Sequence, residues 1–184
     1  MDCNGGPQYF ESSTEASLKA TRGTIAHILN LSPDPLSAIV QPIITPRFAV
    51  SCSGPLLRAL GDLAKEHPKV PIQTHISENP SEVAFVRTLF PGSKSYTHVY
   101  EDHGLLRENT ILAHGCHLDS HVPEPGTTEG AVLDSELELI KARGAGLSHC
   151  PTSNINLRSG IARVGEWLDR GLKVRPVQHS CVLG

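Results

Sequence analysis

Apolar positions along the chain follow two spacings. From Ala16 to Asn30, Leu18, Ile25, Ile28 and Leu29 fall on one side of a 3.6-residue period, which predicts an amphipathic helix weakened at Gly23. The same spacing predicts helices over Pro55–Glu66, from Ser81 to Leu89, over Leu133–Arg143 and over Gly160–Arg170, with a shorter one over Tyr96–Leu106. Between them lie compact β-prone runs at Ala38–Ile44, Val70–His75, Thr110–Gly115, Ala145–Pro151 and Leu172–Val174. Proline and glycine punctuate the pattern at Ser32-Pro33-Asp34-Pro35, Thr45-Pro46, Pro91-Gly92, Gly144 and Gly171. Residues 1–13 read as an irregular lead-in with a turn at Gly5-Gly6-Pro7, and Ser12 to Glu15 offers several N-caps.

Strands that alternate with helices of this length predict an α/β fold built of parallel βα units. The polar residues with chemical potential all fall just after strands: Arg47, His75, Glu78, His114, His149 and Asn154. A (β/α)8 barrel builds its site at those strand ends, and a doubly wound sheet obeys the same rule, so the pattern alone leaves both open. No glycine-rich phosphate fingerprint follows any strand, which argues against a nucleotide-binding sheet.

One stretch breaks the rhythm. After Leu118-Asp119-Ser120 the chain runs through turn-rich residues to Leu133-Asp134-Ser135, a repeat of the same triplet fifteen positions on. Removing residues 121–135 would join Ser120 to Glu136 and restore a continuous helix start. An insertion and a natural surface loop with a chance triplet match both fit this pattern.

The formal net charge is −3 with both signs mixed along 184 residues, so no basic face points to nucleic acid. No apolar run approaches the roughly 20 residues that cross a bilayer, and the stretch from Met1 to Gly6 has neither the basic nor the apolar region of a secretory signal, so none is expected there. Cys3, Cys52, Cys116, Cys150 and Cys181 form no C-x-x-C pair or framework, which fits reduced thiols in a cytoplasmic setting. Of ten histidines, His67, His98, His103 and His121 sit in polar contexts and are expected to be exposed and without a role.

The chemistry concentrates in Gln73-Thr74-His75-Ile76-Ser77-Glu78-Asn79. A strand delivers an imidazole, and a carboxylate follows three residues later, a pairing suited to a metal ligand beside a general acid/base. The plainer alternatives are a capping histidine with a solvated Glu78, a packed His114, a structural His149 and a solvated loop charge at Arg47.

Five strings together closely resemble the guanine deaminase family of the zinc amidohydrolases: Thr45-Pro46-Arg47-Phe48, Ser51-Cys52-Ser53, His75-Ile76-Ser77-Glu78-Asn79, Ala113-His114-Gly115 and Ser148-His149-Cys150-Pro151-Thr152-Ser153-Asn154. The resemblance covers residues 36–118 and 133–174 well. It implies a metal-dependent (β/α)8 TIM barrel of which this chain holds about five of eight βα units. Residues 1–184 would then be a single partial catalytic domain with an insertion at 121–135 and a divergent tail at 175–184.

The resemblance also implies roles. Glu78 and His114 would be catalytic, Glu78 moving protons and His114 holding the attacking oxygen. Arg47, Phe48 and His75 would contact the purine, and His75 would also bind Zn(2+). The substrate would be guanine, converted to xanthine and ammonia, and full-length relatives would be cytoplasmic homodimers. Two parts of the family pattern are missing: no His-x-His pair occurs anywhere, and no Asp follows Gly171-Leu172-Lys173-Val174. One imidazole does not complete a zinc site, so the chain reads as the middle of a larger enzyme. The alternatives are a relative acting on another amino-heterocycle, of triazine or adenosine type, and an inactive purine-binding or subunit-pairing fragment.

Overall fold

The computed structural model describes residues 11–31, 34, 37–119 and 135–176. Its sheet has four parallel strands in sequence order: β1 (Ile72–Ile76), β2 (Thr110–His114), β3 (Gly146–His149) and β4 (Lys173–Pro176). Residues pair in the register Ile72 to Thr110, Ile111 to Gly146 and Gly146 to Lys173. On the outer side of β1, Ile44 adds a parallel bridge to Ile72, and the chain stays beside the strand as far as Arg47, whose carbonyl accepts from His75 N at 3.1 Å. Parallel neighbours in sequence order, each joined by a helical crossover, form an arc of a barrel.

The helices are α1 (Thr14–Leu29), α2 (Gly54–Glu66), α3 (Pro80–Leu89), α4 (Tyr96–Asp102), α5 (Glu136–Arg143), α6 (Pro151–Asn156) and α7 (Val164–Asp169), with a 3₁₀ turn at Ala49–Ser51. Five start on a side-chain cap. Ser13, Ser53, Asn79, Ser95 and Ser135 each accept a backbone N–H of the first turn, which satisfies a donor the helix cannot pair internally. Asn79 and Glu82 form a full capping box. α2 buries Leu56, Leu57, Leu60 and Leu63 against the sheet layer that carries Ile72, Ile76 and Leu112, while Tyr100 and Trp167 are wholly buried. A Cβ on Gly61 would stand 1.9 Å from the His103 carbonyl oxygen, so α2 needs glycine there to meet the turn after α4.

Several expected elements change extent. Residues 38–43 form no strand, and Ile39 is fully exposed; Pro42 has no N–H to give a ladder, and the run contributes only the Ile44 bridge. Cys150-Pro151 ends no strand but opens α6, with proline at the first helical position where its missing N–H costs nothing. The helix expected to Leu106 stops at Asp102, before Gly104 turns left-handed, and the one expected from Gly160 begins at Val164. His67, His98 and His103 are half-buried rather than exposed. His103 Nδ1 donates to the Val99 carbonyl at 2.6 Å, and His98 Nδ1 pairs with Ser95 Oγ at 2.9 Å. His121, nearly all of the stretch 121–135, and the tail beyond Pro176 lie outside the described residues. Among those residues no helix is long and apolar enough to cross a membrane.

Candidate active site

β1 and β2 are adjacent and in register, with Ile76 opposite His114. His75 stands opposite Ala113, one register step before His114, and adjacent strand positions ordinarily face opposite ways; the left-handed backbone at His114 turns its ring to meet that of His75. The His75 and His114 rings stack, with centroids 5.2 Å apart and planes 20° from parallel. Glu78 follows on the turn after β1, and its Oε1 lies 3.6 Å from His114 Nδ1. These three groups, separate in sequence, therefore form one cluster, and Phe48 meets His75 edge-on at 6.3 Å.

The strand ends bend sharply to achieve this. Ser77 (φ 47°) and His114 (φ 76°) both occupy the left-handed region, where a residue with a Cβ is uncommon. The turns are held by Gly115 N donating to Ile76 O and His117 N donating to Ser77 O, each at 3.0 Å. Gly115 has φ 61°, and a Cβ there would meet Leu118 at 2.9 Å and Trp167 at 3.2 Å.

Each reactive group has a supporting contact. His75 Nδ1 donates to the Arg47 carbonyl at 2.6 Å; a carbonyl only accepts, so Nδ1 carries the proton and Nε2 is left with its lone pair. Burial pushes the His75 pKa below the ordinary imidazole value, and the neighbouring His114 adds to the effect against the Arg47 carbonyl. His75 is thus a neutral imidazole at pH 7. Glu78 Oε1 accepts from Ser159 Oγ at 3.0 Å, and His114 Nδ1 lies 2.7 Å from Asn154 Oδ1. His114 and Asn154 are each 2 % exposed.

A buried network fixes the backbone behind them. Tyr100 Oη donates to the His75 carbonyl at 2.7 Å and accepts from Thr74 Oγ1 at 2.9 Å and Ala49 N at 3.1 Å. Glu82 Oε2 accepts from Glu78 N at 3.1 Å and Asn79 N at 3.3 Å, and Tyr96 Oη donates to Glu82 Oε1 at 2.7 Å. Tyr100 therefore sets the height of the His75 strand end and of the Arg47–Phe48 loop together.

Arg47 itself is exposed, its guanidinium 5.8 Å above the Phe48 ring. Phe48 joins Val50, Glu78, Asn79 and Phe85 around a cleft of about 390 Å³. A larger hollow of about 680 Å³ lies over the sheet face that carries Gln73, His75, Ile111 and Arg175. His149 lies apart from the cluster's contacts: its Nδ1 is buried without a hydrogen-bond partner, and burial lowers its pKa. Cys116 is no nucleophile, since burial, with Glu78 nearby, pushes its thiol pKa up to about 11. Among the described residues no group of three or more His, Cys, Asp or Glu side chains could hold a metal ion.

Ser159, Glu82 and Tyr100 had no place in the sequence reading. Glu82 had a legible signal, Asn79-x-x-Glu82 before an apolar run. The other two act across long sequence separations, which no local pattern reports.

The sequence profile of the Amidohydrolase family matches residues 4–177. A probable guanine deaminase of Schizosaccharomyces pombe is 49% identical over 166 residues, covering 90% of this chain and 28% of its own length. The Rattus norvegicus guanine deaminase is 37% identical over 174 residues, covering 95% of this chain and 34% of its own. Among solved structures, a guanine deaminase from C. acetobutylicum with bound guanine in the active site superposes with a TM-score of 0.81 at 35% identity, over 98% of this chain and 38% of that one. The chain thus spans about a third of the length of the relatives it matches.

Proposed function

The chain belongs to the amidohydrolase family, and from that premise we propose that it is the arc of a guanine deaminase that binds the purine and moves its protons. The observation that carries the reading is the meeting of Glu78, His75 and His114 at two adjacent strand ends, beside Arg47 and Phe48. The likeness to guanine deaminases over nine-tenths of the chain supports it.

Hydrolytic deamination of guanine adds water to the ring carbon that bears the amino group and expels ammonia. Glu78 takes a proton from the water as its oxygen bonds to that carbon, and gives it to the adjacent ring nitrogen. It then takes the second proton from the added hydroxyl and gives it to the amine as the C–N bond breaks and the carbonyl forms. His114 hydrogen-bonds the incoming oxygen. Arg47 meets the polar edge of the purine, and Phe48 and His75 line its face. We place the enzyme in the cytoplasm, in keeping with the thiols of Cys52, Cys116 and Cys150, and read the complete form as a homodimer.

Zinc fits this arc in part. The neutral His75 with its free Nε2 is suited to be one ligand. The described residues supply no set of three, so they do not hold zinc unaided. That shortage favours one second reading, a chain that binds guanine without converting it.

The test measures zinc content and guanine binding of the purified chain, with xanthine formation followed in the same sample, alone and with the remaining barrel strands supplied. Turnover lost in Glu78→Gln supports the deaminase. Guanine binding with no turnover under either condition moves the conclusion to the second reading. A faster rate on a triazine or adenosine-type substrate, or no purine binding at all, refutes it.

A further inference from the structure

Both strand-end imidazoles have one ring nitrogen committed, but to different kinds of partner. His75 faces a backbone carbonyl, which fixes its tautomer outright. His114 Nδ1 faces the side-chain amide of Asn154 at 2.7 Å, and an amide can present either its oxygen or its nitrogen. The surroundings choose the oxygen. Glu78 Oε1 stands 3.6 Å from the same Nδ1. An N–H there faces two acceptors, whereas a lone pair would face a carboxylate. Ser159 holds that carboxylate oxygen in place through its hydroxyl at 3.0 Å. Ser159 N also donates to the Asn154 carbonyl at 2.8 Å, and His117 Nε2 donates to the Ser159 carbonyl at 2.7 Å, so one braced turn carries both contacts.

We propose that Asn154 is a positioning residue that holds His114 as its Nδ1–H tautomer and leaves Nε2 free, with Ser159 of the same turn keeping Glu78 in register. The inference deepens the deaminase reading and rests on it for the use of Nε2, as acceptor for an O–H of the attacking water. The tautomer itself belongs to the chain without substrate. The competing arrangement is the reversed amide. Asn154 Nδ2 is buried without a hydrogen-bond partner, and reversal would let it donate to His114 Nδ1 and put the proton on Nε2.

The experiment is a ¹⁵N–¹H correlation spectrum of the histidine-labelled full chain, recorded well above the ordinary imidazole pKa of about 6.5, with His114 assigned from its loss in His114→Gln. The expected spectrum shows His114 with an unprotonated Nε2. Asn154→Asp, which keeps an acceptor oxygen, retains that pattern. Asn154→Ala shifts His114 toward the Nε2–H form that a free histidine side chain favours, while Glu78→Gln alone leaves it in place. An Nε2–H signal from His114 in the wild-type chain overturns the proposal, and needs no variant to fold. So does a shift in Glu78→Gln with none in Asn154→Ala, since Glu78 would then set the tautomer. Guanine binding is measured separately: a chain with the expected tautomer and no purine affinity refutes the function and leaves this assignment standing.

Discussion

Deleting residues 121–135 should leave the arc folded, and the reason lies at the two flanks. Asp119 Oδ1 accepts from Glu136 N at 2.5 Å, Asp119 Oδ2 accepts from Ser135 Oγ at 2.6 Å, and Asp119 N donates to Glu136 Oε2 at 3.1 Å. After the deletion the order becomes Leu118-Asp119-Ser120-Glu136, and Glu136 is then two residues beyond Asp119. An aspartate oxygen accepting the N–H two residues on is an Asx turn, a favoured local structure at helix starts. Ser120 would inherit the capping place of Ser135, whose Oγ accepts Glu138 N. Such a cap contributes about 1 kcal/mol, or roughly 2–4 °C in melting temperature for a chain of this size. Four variants, the shortened chain among them, separate the outcomes by thermal and urea unfolding. In the complete chain Ser135→Ala should cost about 1 kcal/mol and Ser120→Ala close to nothing. In the shortened chain Ser120→Ala should acquire that cost of about 1 kcal/mol, with the shortened parent no less stable than the original. A deletion that loses more than about 3 kcal/mol, the range of core damage, would show that the segment packs into the fold and is no insertion. A Ser120→Ala change that stays silent in the shortened chain would refute the inherited cap.

Three further perturbations follow from the same contacts. Tyr100→Phe strands the buried Ala49 N–H and frees the His75 carbonyl, so urea unfolding should show a loss of about 1–3 kcal/mol; an unchanged midpoint would mean the network carries no net stability. Gly61→Ala drives a Cβ into the His103 carbonyl oxygen and should cost more than about 3 kcal/mol, read as loss of cooperative melting at ambient temperature. Burial raises the Glu82 pKa above its ordinary value, so the folded state binds this proton more tightly than the unfolded one. Its contribution is fully present below about pH 4.5 and is lost as pH rises through the folded value. The stability of Glu82→Gln relative to the parent should therefore climb between pH 4.5 and 7, and a flat difference would remove burial as the cause.

Much of this was readable because the parallel fold writes two periods into one chain. α2, with Leu56, Leu57, Leu60 and Leu63 buried, and β1 with His75 near its end follow directly from spacing. Residues 38–43 misled because apolar side chains need not be buried: Ile39 and Val40 are exposed, and Pro42 cannot join a ladder. α6 was missed because six residues span less than two turns, too few for a period to show. The site divides in the same way. His75, Glu78 and His114 were legible as strand-end residues. Ser159 reaches Glu78 across 81 positions and Tyr100 reaches Thr74 across 26, distances over which only the folded topology brings side chains together.

The supporting shell accounts for how this arc keeps its strained turns. A non-glycine residue in the left-handed region costs on the order of 1–3 kcal/mol, and two of them, Ser77 and His114, flank the site. Such conformations persist only where the surroundings over-determine them. Here the surroundings are local to the arc: the Gly115 and His117 amides on the Ile76 and Ser77 carbonyls, Glu82 on the Glu78 amide, and Asn154 on the His114 ring. Each of these contacts comes from a described residue of the strand-end turns or of the helices α3 and α6. The described residues thus supply the contacts that orient the imidazoles and the carboxylate, whereas they supply no group of three or more metal-ligating side chains. Preorganisation and metal loading become separable experimentally. Relaxing Gly115 to alanine should disturb His75–His114 stacking, read by their ring-proton shifts, with no metal added, because the Cβ would press on Leu118 and Trp167. Unaltered shifts in a folded variant would show that the turn is not what holds the rings together.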